Sequence, residues 1–341
     1  MTARAARPRI VVTNRAFPET LALLAADGEV VASRESEPLP RARLEAELAD
    51  AEALLVFMTD LVDEALLAKA PRLKVVGAAL KGFDNIDVAA CRRRGVQVTI
   101  VPDLLTVPTA ELAIGLMIGL SRHILPGDRL VRGGGFAGWR PTLYGTGLSG
   151  STVGILGLGR VGRAIAERLG PFGCSLLGCD PGAGTEPPPA GLRPVTFERL
   201  LAASDFLVLA APLTPATVGL FGREALAALK PGAFLVNCAR GSLVEEAAVA
   251  EALESGRLAG YASDVFAFED WARPDRPSGI EPRLLAACDT SLLTPHLGSA
   301  VTSLRREIEL AAARSILAVL RGETPPDCVT GSGEAREPVR P

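Results

Sequence analysis

The run Gly157-Leu158-Gly159-Arg160-Val161-Gly162 limits this chain more tightly than any other feature of its sequence. It follows the apolar stretch at 152–156 directly and opens a segment with helical periodicity. Strand, glycine turn and helix in that order make a dinucleotide-binding unit. The first glycine permits the tight turn, the second lets backbone amides approach a pyrophosphate, and the third lets helix and strand pack closely. The helix N-terminus then offers unsatisfied N–H groups and a partial positive charge to the phosphates. Asp180 ends the next apolar run, where a carboxylate accepts hydrogen bonds from ribose hydroxyls. These residues imply a dinucleotide held by Gly157, Gly159, Arg160, Val161, Gly162 and Asp180, and the free-ribose acceptor points to NAD.

Composition excludes several other classes. A chain of 341 residues is long enough for about two domains. A net charge of −3, with no dense Lys/Arg block, argues against a nucleic-acid partner. The longest strongly apolar segment, 112–120, is far short of a membrane span. The basic start of the chain is not followed by the apolar core of a signal peptide. The six cysteines (91, 174, 179, 238, 288, 328) show no CxxC pair and no histidine cluster, so no metal site is expected. Together these features point to a cytoplasmic protein with reduced thiols.

Strand-like and helix-like runs alternate along most of the length. Short apolar or β-branched runs at 9–12, 53–57, 74–79 and 96–99 are separated by helix-like segments at 19–26, 41–49, 63–70 and 87–94. A second series begins at Gly150, with strands at 152–156, 174–179, 205–210, 232–237, 259–264 and 290–293. This βαβ rhythm predicts an α/β protein of two doubly wound parallel-sheet lobes, with a ligand cleft between them at the carboxyl ends of the strands. One long helix is expected over 106–123, with His123 as a structural residue at its end. Pro102 and Pro295 interrupt apolar runs and are the expected hinges. Residues 182–191, with three consecutive prolines, read as a surface loop. The polar, Pro/Gly-rich residues 323–341 read as a mobile tail.

Three residues carry reactive chemistry, each just past a strand-like run: Arg240, Glu269 and His296. A guanidinium can hold an anionic substrate bidentately. An imidazole can exchange a proton near neutral pH, and a neighbouring carboxylate fixes its tautomer.

The segments at 157–162, 237–242, 263–269 and 294–299 together resemble the D-isomer-specific 2-hydroxyacid dehydrogenase family, and the resemblance covers about residues 9–322. It implies a Rossmann cofactor domain (103–295) inserted in a flavodoxin-like substrate domain (1–102 and 296–322). It further implies NAD as cofactor and a homodimer. Arg240 would bind the substrate anion and Glu269 with His296 would handle the proton. The cofactor set extends to Thr109, Pro212, Cys238, Ala239, Arg240, Asp264, His296 and Gly298.

Residues 78–87, 101–111 and 269–276 resemble the phosphonate (phosphite) dehydrogenases within that family. Lys81 puts an ammonium beside the glycine-rich loop, where two cations could neutralise a compact dianion. Gly82, Met58, Trp139, Tyr144, Ser299 and Arg305 complete the substrate set that this likeness implies. The expected reaction is oxidation of phosphite to phosphate with hydride transfer to NAD. The alternatives are a 2-hydroxyacid dehydrogenase acting on glycerate, hydroxypyruvate or glyoxylate, and an NAD(H)-sensing binding protein. The intact Arg–Glu–His set argues against a pure binder.

Overall fold

The computed structural model describes residues 7–182, 186–325 and 327–330. The chain forms two compact units. One contains the residues up to Leu105, Trp271–Pro274 and the described chain from Ala300; the other contains Thr106–Asp270 and Asp275–Ser299.

The first unit is built from β1 (Arg9–Val12), α1 (Pro18–Asp27), β2 (Glu29–Ala32), α2 (Arg41–Leu48), β3 (Ala53–Val56), α3 (Glu64–Ala68), β4 (Val75–Ala78), α4 (Val88–Arg93) and β5 (Gln97–Thr99). Its five strands are all parallel, in the order β2-β1-β3-β4-β5. Every residue of β3 and β4 is buried, as expected of a parallel sheet covered on both faces. Asp63 and Asp87 start α3 and α4 as N-caps, accepting the amides of Leu66 and Ala90 at 2.8 Å each.

The second unit begins with α5 (Thr106–Ser121), α6 (Ile124–Arg132), β6 (Thr152–Leu156), α7 (Arg160–Leu169), β7 (Ser175–Cys179), β8 (Leu192–Pro194), α8 (Phe197–Ala203) and β9 (Phe206–Leu209). It continues through α9 (Arg223–Ala228), β10 (Ala233–Asn237), α10 (Glu246–Glu254), β11 (Leu258–Ser263), α11 (Pro282–Ala286) and β12 (Ser291–Leu293). The seven strands are parallel, in the order β12-β11-β10-β9-β6-β7-β8. The order reverses between β6 and β9, which places a ligand crevice at the carboxyl end of β6. The last helix, α12 (Thr302–Leu320), returns to the first unit, where Ile308, Ala312, Ala313 and Ile316 join the core of Ile10, Ala53, Leu55 and Val75.

Several local expectations are corrected. The helix expected over 106–123 ends at Ser121, because His123 takes a left-handed backbone (φ 51°) and α6 starts afresh after it. Edge strands β2 and β8 and helices α6 and α12 add to the expected elements. The expected mobile tail is corrected over 327–330. There Ile100 N donates to Asp327 O (3.2 Å) and Val329 N to Val98 O (2.8 Å), so the segment runs antiparallel against the edge strand β5. Residues 326 and 331–341 of that tail, and part of the expected proline loop, 183–185, lie outside the described residues.

At the carboxyl ends of β1, β3 and β4, buried Asp60 ties three loops together. Its Oδ2 accepts Thr13 Oγ1 (2.5 Å) and Phe57 N (2.7 Å), while its carbonyl accepts Asn85 Nδ2 (2.6 Å). Burial outweighs these donors and pushes the Asp60 carboxyl up to about 6. The unfolded value lies near 4, so the folded chain favours the protonated form. The resulting stability is fully present below about 4 and is lost as pH rises through about 6. Asp60→Asn removes this loss. The stability of the variant relative to wild type should therefore rise by about 1–1.5 kcal/mol between pH 5 and pH 7.5. Urea unfolding at the two pH values measures it, and an unchanged difference would show that Asp60 is not held protonated.

Candidate active site

The nucleotide half of the site grows out of the turn after β6. Gly157 has φ +92°, and a Cβ there would come within 2.6 Å of Ala211 N. A Cβ on Gly162 would lie 1.9 Å from the Gly157 carbonyl oxygen, so only glycine lets α7 sit this close. Gly159 differs: a Cβ there would meet no protein atom within 4 Å. The space above the α7 N-terminus, where Arg160 and Val161 begin the helix, is thus open for a phosphate-bearing ligand. Asp180 stands at the end of β7, its Oδ2 accepting Leu158 N (2.7 Å) and its Oδ1 accepting Gly182 N (2.9 Å). Each oxygen keeps a lone pair for a ribose hydroxyl. A cavity of about 460 Å³ opens beside it, with Leu158, Asp180, Pro194, Val195 and Phe197 in its walls. Arg163, Glu186 and Glu198 also line it. Apolar side chains beside the Asp180 carboxylate suit a nucleoside, so the residues present fit a dinucleotide.

The reactive half lies at the carboxyl ends of the adjacent strands β10, β11 and β12. After β10, buried Asn237 shapes the loop: its Oδ1 accepts Ala239 N (3.1 Å) and its Nδ2 donates to Arg240 O (2.9 Å). Burial pushes the Cys238 thiol up, which keeps it in the unreactive protonated form. Two contacts fix this loop to the one after β11. Ser242 N donates to Asp270 Oδ2 (2.7 Å), and a Cβ on Gly241 would lie 1.8 Å from the Phe266 carbonyl carbon.

Glu269 ends a short 3-10 turn, with Oε1 accepting Phe266 N (2.8 Å). Its Oε2 lies 2.8 Å from His296 Nδ1. A carboxylate only accepts, so this bond assigns the proton to Nδ1 and leaves Nε2 as the working nitrogen. Both side chains keep about a quarter of their surface exposed, 25% for His296 and 24% for Glu269, so they are held and reachable. The pair can hold a proton at a defined atom, and the adjoining Arg240 loop brings a cation for an anionic ligand.

Asp264 builds the histidine loop. Its Oδ1 accepts Thr294 Oγ1 (2.5 Å) and Leu297 N (2.7 Å), and its Oδ2 accepts Gly298 N (2.7 Å). Burial is the largest influence on Asp264 and raises its pKa against these donors. Thr109 adjoins the same loop, because a Cβ on Gly298 would stand 3.1 Å from Thr109 Oγ1. Pro212 lies two residues past Ala210, against which the Gly157 turn packs. Ser299 is buried behind Gly298.

The remaining candidates divide in two. In the first unit, Met58, Lys81 and Gly82 are half-buried past β3 and β4. Arg305 reaches the same strand ends, with Nη1 donating to Ala79 O (3.1 Å) and its guanidinium 5.9 Å from the Phe57 ring centroid. In the second unit, Trp139 and Tyr144 are 75% and 72% exposed. Exposure of that size means that neither forms the wall of a closed pocket within one chain. Sequence reasoning missed Glu246 and Asp270, which act on backbone groups distant in sequence, a role that leaves no motif. The loop-shaping role of Asn237 was missed too, although its partners lie only two and three residues on.

A fold with a glycine-turn crevice and an acid–histidine pair beside it defines an NAD-dependent oxidoreductase. The family model for the D-isomer specific 2-hydroxyacid dehydrogenase NAD binding domain matches residues 114–298. A glyoxylate reductase from Pyrococcus furiosus is 37% identical over 333 residues, covering 95% of each chain. A D-3-phosphoglycerate dehydrogenase from Mycobacterium bovis is 36% identical, covering 98% of this chain and 61% of that longer one. The crystal structure of an NADPH-dependent glyoxylate/hydroxypyruvate reductase from Sinorhizobium meliloti superposes with a TM-score of 0.81 at 30% identity, covering 95% of this chain and 98% of that one. The chain belongs to the D-isomer specific 2-hydroxyacid dehydrogenase family, and its cofactor is NAD(H).

These relatives correct the expectation of phosphite as substrate. The likeness runs over nearly the whole chain to proteins named for 2-oxo and 2-hydroxy acids, and it favours the 2-hydroxyacid alternative. Lys81 does not decide the substrate, because an ammonium beside a glycine-rich loop attracts a carboxylate as well as a dianion, and only the strength differs.

Two glycines give opposite expectations. Gly241→Ala drives a methyl into fixed backbone and should destabilise the protein by about 1–3 kcal/mol. Gly159→Ala meets no protein atom and should leave stability unchanged while weakening NADH binding at least about tenfold, since its cost falls on the ligand. Urea unfolding and NADH fluorescence titration check both. A neutral Gly241→Ala, or unweakened binding by Gly159→Ala, would contradict the described packing.

Proposed function

We propose that the protein is a cytoplasmic, homodimeric D-2-hydroxyacid dehydrogenase that interconverts a small 2-oxo acid, of the glyoxylate or hydroxypyruvate type, with its 2-hydroxy acid. The observation that carries this reading is the 2.8 Å bond between Glu269 Oε2 and His296 Nδ1, set beside the loop that bears Arg240.

The cofactor, when bound, supplies or accepts the hydride at C2 of the substrate. Arg240 pairs with the substrate carboxylate through its planar fork. In reduction, His296 gives a proton from Nε2 to the carbonyl oxygen, and Glu269 holds the ring in the required tautomer and balances its charge. In oxidation the same nitrogen takes the hydroxyl proton. Met58, Lys81, Gly82, Ser299 and Arg305 are proposed around the rest of the substrate. Thr109, Pro212, Cys238, Ala239, Asp264 and Gly298 are proposed along the cofactor, with Asp180 on its ribose.

The six free cysteines agree with a reducing compartment. Among the described residues no helix is long and apolar enough to cross a membrane. A homodimer is supported by α6, which has no buried residue, and by the exposed Ile124, Val131, Phe136, Trp139 and Tyr144 on and after it.

NADH oxidation with glyoxylate and hydroxypyruvate, with phosphite plus NAD run in parallel, tests the substrate class. Turnover of the oxo acids is expected. Turnover of phosphite with neither oxo acid would overturn the reading. His296→Ala should lose about 10²–10⁴-fold in kcat. Asp180 would repel the 2′-phosphate of NADP, so NADH should be preferred and Asp180→Ala should narrow the preference. Equal use of both cofactors by the wild type would remove Asp180 from that role.

A further inference from the structure

The two ends of the segment 267–281 meet on one side chain. Glu246, the first residue of α10, accepts Ala267 N on Oε1 (3.0 Å) and Glu281 N on Oε2 (2.8 Å). Between those ends the segment carries Glu269 and Asp270, so a single carboxylate closes the loop on which the acid of the acid–histidine pair stands. The bonds continue inward from there. Phe266 N donates to Glu269 Oε1, and Glu269 Oε2 holds His296 Nδ1, each at 2.8 Å. Arg276 Nη1 adds a bond to Phe268 O (2.6 Å) from within the loop.

We propose that Glu246 is a positioning residue for the reaction. It clamps both ends of the 267–281 loop and thereby fixes the direction in which Glu269 presents Oε2 to His296. This inference rests on the proposed function for its kinetic arm but not for its spectroscopic one.

The chemistry of the clamp explains the residue type. Two converging N–H groups need two acceptor oxygens at the separation of a carboxylate, and the charge strengthens both bonds. A glutamine keeps the shape but offers one acceptor. Its amide would face an N–H donor with a second donor, so one end of the loop is released. Glu269 then points less narrowly, and the preference of His296 for the Nδ1–H tautomer weakens.

The test is Glu246→Gln alone and combined with Glu269→Gln. The chain has two histidines, so ¹⁵N spectra of the full-length, NADH-saturated protein report the His296 tautomer directly, with His123→Gln as the assignment. The Nδ1–H population should fall in Glu246→Gln, and it should fall likewise in Glu269→Gln. With the oxo acid that the wild type turns over, kcat should fall about ten- to a hundredfold with KM for NADH unchanged. The double variant should be no slower than Glu269→Gln within about twofold, because both substitutions act through one contact. Glu281→Pro, placed where φ is −53°, deletes one donor without touching Glu246 and should give a smaller loss of the same kind. Wild-type tautomer populations in Glu246→Gln, or a double variant slowed by the product of the single effects, would overturn the proposal. A wild type inactive on every oxo acid would sink the proposed function alone, since the tautomer needs no substrate.

Discussion

Asp264 is 2% exposed, and its carboxylate takes three hydrogen bonds from the loop after β12. Its own carbonyl accepts a fourth, from His296 N at 2.9 Å. These contacts hold His296 in the left-handed backbone region, at φ 57°. A non-glycine residue pays about 1–3 kcal/mol for such a conformation and keeps it only where the surroundings over-determine it. Without Asp264 the chain after Pro295 would relax, and the imidazole would leave the carboxylate of Glu269. The proton chemistry proposed for the site therefore depends on a buried acid that need not touch the reacting atoms.

The same economy shapes the rest of the second unit. Three neighbouring parallel strands deliver Arg240, Glu269 and His296 to one edge of the sheet. Strand ends fix where a loop begins but not where it goes. The loops are fixed by close packing at Gly241 and by acids that collect backbone N–H groups. Past β9 the order reverses at β6, and there the glycine turn leaves its open space at Gly159.

How much of this was legible follows from where each signal sits. The glycine turn could be read because three residues in six must be glycine for separate steric reasons, two of them enforced by contacts under 3 Å. Arg240, Glu269 and His296 could be read because each follows an apolar run that announces a strand. Edge strand β2 could not, since none of its four residues is buried. The break at His123 was hidden because the left-handed turn falls on a residue type that gives little warning of it. The charges Arg305, Arg306, Glu307 and Glu309 interrupt the apolar pattern of α12. Substrate identity failed for a different reason. Lys81 carries a charge but no shape, and charge alone does not separate one small anion from another.

The acids of the site sort by what they spend their oxygens on. Asp264 spends both on the 294–298 loop, and Glu246 spends both on the amides of Ala267 and Glu281. Asp270 takes the amide of Ser242, and Asp180 takes those of Leu158 and Gly182. Glu269 also binds one amide, that of Phe266, but gives its second oxygen to an imidazole. A carboxylate suits the first kind of work because it only accepts and its charge shortens the bond. Among these acids only Glu269 turns an oxygen to the imidazole, whereas Asp264, Asp270 and Glu246 hold the loops that carry the pair. The ring is therefore aimed by side chains that never meet it, and the one carboxylate that does meet it is itself held by a backbone amide.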